Sequence, residues 1–175
     1  MDEKDIKKLG VSALFIAIGI ILPFFTGQIP KVGNMMLPMH MPVFICGFLC
    51  GWRYGDIVGL ILPLLRSVIF GIPVLYPVAI AMSMELATYG LICGLIYILL
   101  RKKSIVSIYL SMIVAMILGR VIWGVAEVIL LGMQGNTFAW QMFVAGAVLK
   151  AIPGIILQLI LIPMVVMKLQ NVWKY

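Results

Sequence analysis

The chain has 175 residues, 64% of them hydrophobic, a mean hydropathy of +1.20 and a formal net charge of +7. Its apolar content is continuous rather than confined to one end, which excludes a water-soluble globular protein, and its length excludes several globular domains. What remains is a single helical membrane domain covering residues 1–175.

A spanning helix needs about 20 mostly apolar residues. The first candidate, residues 9–25, follows a charged leader containing Asp2, Glu3, Lys4, Asp5, Lys7 and Lys8. No small-residue cleavage site follows it, so it reads as a span rather than a signal peptide. The second and third, 37–52 and 56–70, are short. The fourth covers 76–100, the fifth 104–131 and the sixth 138–167. The expected fold is therefore an all-α bundle of six transmembrane helices with both termini on one side.

The basic residues select that side. With a cytoplasmic N-terminus, the inner face receives Lys4, Lys7, Lys8, Arg53, Arg101, Lys102, Lys103, Lys168 and Lys174, and the outer face only Lys31. This asymmetry is the positive-inside pattern. The net charge is then an orientation signal, and nucleic acid is not an expected partner. Gly-containing connections collect outside: 26–36 with Gly27, Pro30, Gly33 and Asn34, then Gly71-Ile72-Pro73, then Gly132 to Asn136. Binding loops are often built from such irregular backbone. The inward connections are tight, with turns expected at Arg53-Tyr54-Gly55 and Arg101-Lys102-Lys103.

Six ionisable side chains interrupt the apolar runs: His40, Arg66, Glu85, Arg120, Glu127 and Lys150. A charge near the bilayer centre costs at least about 2.5–3.5 kcal/mol, so such groups face a bundle interior and mark a ligand or ion path. Counted from the span ends, all six fall between the outer surface and the midplane. That distribution describes an outward-opening pocket rather than a channel. Arg120 and Glu127, seven residues apart, share a helix face with Trp123 and Gly124 between them. Either they line a ligand wall together or they are paired elsewhere for stability, with Trp123 in the interfacial belt. Three cations (Arg66, Arg120, Lys150) stand against two anions (Glu85, Glu127), so a ligand with an acidic group would balance the sum. Tyr76, Tyr89, Trp123 and Trp140 are candidates to hold its apolar or ring portion. Cys46, Cys50 and Cys93 have no further ligand at metal spacing and read as small hydrophobes. No metal or cofactor is expected.

In the first span Ala13 and Ala17 stand one helical turn apart, a spacing that lets a second helix approach closely. With these residues the chain resembles the substrate-binding (S) components of energy-coupling factor (ECF) transporters, the prokaryotic vitamin importers. Ala13-x-x-x-Ala17 is similar to that family's coupling motif. Leu37-Pro38-Met39-His40-Met41-Pro42, leading into Gly47-x-x-x-Gly51-Trp52-x-x-Gly55, looks like its start of span two and turn into span three. The resemblance covers nearly the whole chain. It implies a multi-pass protein of the prokaryotic cell membrane that binds a vitamin-like small molecule at the outer face, with pantothenate a candidate. It also implies no ATPase of its own. Transport would depend on a coupling transmembrane subunit, contacted by Ala13 and Ala17, and on two cytosolic ATPase subunits.

Other classes compete. An intramembrane enzyme lacks any supporting motif: there is no His-Glu-x-x-His, no Gly-x-Ser-x-Gly and only one His. A membrane scaffold of similar size would not require so many charges in the outer half. A channel or secondary transporter should carry charges through the inner half as well.

Overall fold

The computed structural model describes residues 2–26, 37–100, 104–133 and 152–172. The long first loop, the stretch between the fifth and sixth spans, Trp140 and Lys150 lie outside the described residues. Among these residues the protein has six α-helices and no strand: α1 Glu3–Thr26, α2 His40–Cys50, α3 Trp52–Phe70, α4 Ile80–Leu99, α5 Ile105–Met133 and α6 Ile152–Val172. A π-helical turn, Leu75–Ala79, leads into α4.

Among the described residues four stretches are long and apolar enough to cross a membrane: Glu3–Phe25, Leu75–Leu99, Ile105–Met133 and Ile152–Gln170. Their outward faces are aliphatic. On α5 alone Val106, Leu110, Ile113, Ile117 and Val121 are exposed. A patch of that extent suits lipid, not water. Hydroxyls within the helices bond back to their own backbone, as Ser111 does to the Ser107 carbonyl at 2.7 Å and Ser12 to that of Lys8 at 2.7 Å. Such bonds keep polar groups satisfied where water is absent.

The core has two lobes that share α2 and α4. In one, Phe15 of α1 and Val58 and Leu62 of α3 pack on Val43, Cys46 and Leu86. In the other, Met112 of α5 and Ile162 and Val166 of α6 pack on Phe44, Phe48, Tyr89 and Tyr97. α2 and α4 therefore form the central wall, with α1 and α3 on one side and α5 and α6 on the other.

Glycine sets the closest approach. A Cβ on Gly55 would lie 2.8 Å from the Gly90 carbonyl oxygen, and one on Gly94 would lie 2.7 Å from Cα of Trp52. Neither helix could sit as it does with a larger residue there. The turn between α2 and α3 differs from the sequence expectation. Arg53, Tyr54 and Gly55 lie inside α3, and the chain reverses at Gly51 alone, with φ +98°. Only a residue without a Cβ adopts that angle readily. Gly55 is thereby released from the turn to pack against α4. At the other end of α3, Gly71 (φ +70°) caps the helix, its N–H bonding to the Ser67 carbonyl at 2.8 Å.

Candidate functional site

α2 has 11 residues, about 16 Å of rise, against a hydrocarbon core of about 30 Å. So short a helix begins inside the bundle, and its first residue, His40, is 1% exposed. Facing it on α4 are Glu85 and, one turn on, Tyr89, each 2% exposed. One carboxylate oxygen organises the group. Glu85 Oε1 accepts the Tyr89 hydroxyl at 2.6 Å and a guanidinium N–H of Arg120, on α5, at 3.1 Å. His40 Nε2 lies 3.9 Å from the same oxygen. The Tyr89 ring packs on α2, against the His40 ring (5.5 Å) and the Phe44 ring (5.0 Å, stacked). Gly119, one residue before Arg120, lets α5 close on Tyr89, whose ring occupies the space a Cβ would need.

The remaining residues singled out by sequence are distributed around this centre. Arg66 reaches the residue before His40, its NH1 3.2 Å from Met39 Sδ and its guanidinium 5.5 Å from the Phe24 ring centre. Tyr76 donates its hydroxyl to the Leu130 carbonyl at 2.6 Å, which ties the π-helical turn to α5. Trp123 and Glu127 are half-buried on α5. The ion-pair partner of Arg120 is Glu85 on another helix, not its face-mate Glu127. Among the described residues a surface cleft of about 480 Å³ lies beside Lys8, Trp52 and Arg53, and an apolar one of about 280 Å³ lies between α4 and α5.

Sequence reasoning passed over one buried polar residue, Gln158 of α6, which is 1% exposed. The signal available was a lone amide within an apolar stretch, weaker than a charge. Among the described residues the buried polar atoms without a hydrogen bond are His40 Nδ1 and Nε2, Arg66 Nε, Arg120 Nε and Gln158 Nε2. Each such group costs about 1–3 kcal/mol, so a concentration of them in one small protein calls for a function. All but one of the two imidazole nitrogens are N–H donors.

A family model described as ECF transporter, substrate-specific component, matches residues 7–166, nearly the full chain. The chain belongs to this family. No curated protein and no solved structure matches it significantly. An ECF substrate-specific component is a substrate-binding membrane protein rather than an enzyme. The family implies a small-molecule substrate, partner subunits of an ECF module and a multi-pass membrane location.

Ser12, Phe15 and Gly19 of α1 point inward, the last against Leu62. Ala13 and Ala17 point outward and are exposed, between Leu14 and Ile18. Both alanines therefore lie on the side of α1 turned away from the chain's own interior.

Proposed function

We propose that this S component captures a small vitamin-like molecule bearing a carboxylate or comparable acidic group, bound beside His40, Glu85, Tyr89 and Arg120. The observation that carries this reading is one buried ion pair, Glu85–Arg120, flanked by nitrogens of His40 and Arg120 that have no hydrogen-bond partner among the described residues. Arg120 is neutralised by Glu85, and among the described residues Arg66 has no carboxylate partner. A ligand supplying oxygen acceptors and a negative charge would satisfy both deficits. Tyr76, Trp123, Glu127, Trp140 and Lys150 belong to the same proposed set on the grounds of sequence. Pantothenate, an acid with further oxygen acceptors, is a candidate.

The nine-to-one distribution of basic residues supports cytoplasmic termini and an outward-facing site in a prokaryotic cell membrane. Delivery inward would rest on a coupling subunit docked at Ala13 and Ala17, driven by two cytosolic ATPases. The test is to purify the protein and identify any co-purified molecule by mass spectrometry. A carboxylate-bearing vitamin at near one-to-one ratio is the expected result. Recovery of a purely cationic vitamin such as thiamine would overturn the charge argument.

A further inference from the structure

α6 buries a stripe of residues four apart: Gly154, Gln158, Ile162 and Val166. Ile162 and Val166 pack in the cluster of Phe44, Tyr89 and Tyr97, so the stripe faces the α2–α4 wall. Near its C-terminus the same helix bonds to α4, the Gln170 amide donating to the Tyr97 hydroxyl. The two helices run in the same direction. In the opposite sense, Ile162 would fall beyond the end of α4 and outside that cluster.

This contact fixes the depth of Gln158. Gln170 is twelve residues after Gln158, and Tyr97 is twelve after Glu85. At about 1.5 Å per residue both steps are about 18 Å, which puts Gln158 level with Glu85. Its side chain is 1% exposed and Nε2 is without a hydrogen bond, although its helix neighbours inward are aliphatic. A buried amide donor kept unpaired at the level of an ion pair and a bare imidazole is poorly explained by stability, since an apolar residue of the same shape would serve better.

We infer that Gln158 is a specificity-determining contact of the substrate site, its amide N–H donating to a carbonyl, carboxylate or hydroxyl oxygen of the bound molecule. This rests on reading the His40–Glu85–Arg120 region as that site. It assigns one residue of α6 a role in the site beside those of α2, α4 and α5, and it narrows the substrate class to molecules with an acceptor oxygen beyond the one facing Arg120. A site built around such a donor discriminates strongly against analogues that lack the acceptor.

The experiment compares wild type, Gln158→Met and Arg120→Gln. Binding of pantothenate, biotin and nicotinate is measured by calorimetry, and melting of the ligand-free proteins in detergent is measured alongside. Methionine keeps the length of the side chain and removes its polar atoms. The expected result for Gln158→Met is a ligand-free melting temperature equal to or above wild type, with affinity for the vitamin that wild type binds lowered about 10- to 100-fold. The ranking of the three vitamins should also change. A lower melting temperature with affinity within twofold of wild type would overturn the inference and make Gln158 a packing residue. If Arg120→Gln binds normally, the reading of the site fails whatever Gln158 does. If wild type binds none of the three, the substrate class fails. The melting comparison then decides for Gln158 alone, a temperature equal to or above wild type retaining the inference and a fall overturning it.

Discussion

Arg120 on α5 and Glu85 on α4 form a 3.1 Å ion pair across the helix interface, with the carboxylate side chain 2% and the guanidinium side chain 20% exposed. A buried pair is costly to break from one side, because the survivor keeps its charge and loses its partner. Arg120→Ala should therefore lower stability by about 3–5 kcal/mol. The double variant Glu85→Gln, Arg120→Gln should lose clearly less than the sum of the two single glutamine changes. Unfolding in detergent followed by a double-mutant cycle measures this. Strictly additive losses would mean that the two groups act independently.

Tyr89 serves the same carboxylate in a second way. Tyr89→Phe removes the 2.6 Å hydrogen bond to Glu85 and keeps the ring stacked on Phe44. A loss of about 1.5–3 kcal/mol is expected for a bond to a charged acceptor. Tyr89→Leu should cost about 0.5–1.5 kcal/mol more through the lost ring pair. Equal melting temperatures for wild type and Tyr89→Phe would show that the hydroxyl contributes nothing to the fold.

The glycine contacts between α3 and α4 predict a sharp contrast between two alanine substitutions. Gly90→Ala places a methyl group against the backbone of Gly55, where no side chain can yield, so a loss of more than about 1–3 kcal/mol is expected. Gly10→Ala has nothing within 4 Å and should be neutral or slightly stabilising. Folded yield and melting temperature of the two variants, measured side by side, check the contrast.

Transport should be separable from binding. Ala13→Trp with Ala17→Trp puts two large rings on an exposed face of α1, which would hold a docking helix away. Vitamin uptake by cells should fall to background while affinity of the purified protein stays within a few-fold of wild type. Parallel loss of affinity would place the alanines in the chain's own packing instead.

Much of this architecture was legible because lipid makes polar residues conspicuous. His40, Glu85 and Arg120 stood out as charges in apolar runs, and the structure gathers these three around one carboxylate oxygen. The partner of Arg120 was not legible. Helical spacing relates residues on one helix, such as Arg120 and Glu127, whereas the pair it makes crosses to α4 and depends on tertiary packing. The turn at Gly51 was misplaced by two residues because a polar Arg53-Tyr54 pair looked like a connection. The backbone reverses where φ is positive, not where side chains are charged. Gln158 was missed because an uncharged amide leaves little trace in a hydropathy profile, and its meaning comes from burial and depth.

An acidic ligand held by Arg120 is tested most directly by equilibrium binding to the purified wild-type protein. Pantothenate, biotin, nicotinate and thiamine are each titrated into the wild type and into Arg120→Gln. At least one of the three carboxylate-bearing vitamins should bind and raise the melting temperature, and Arg120→Gln should weaken this binding by about 2–5 kcal/mol. Tight binding of thiamine alone, or a vitamin that binds Arg120→Gln as well as wild type, would contradict that reading.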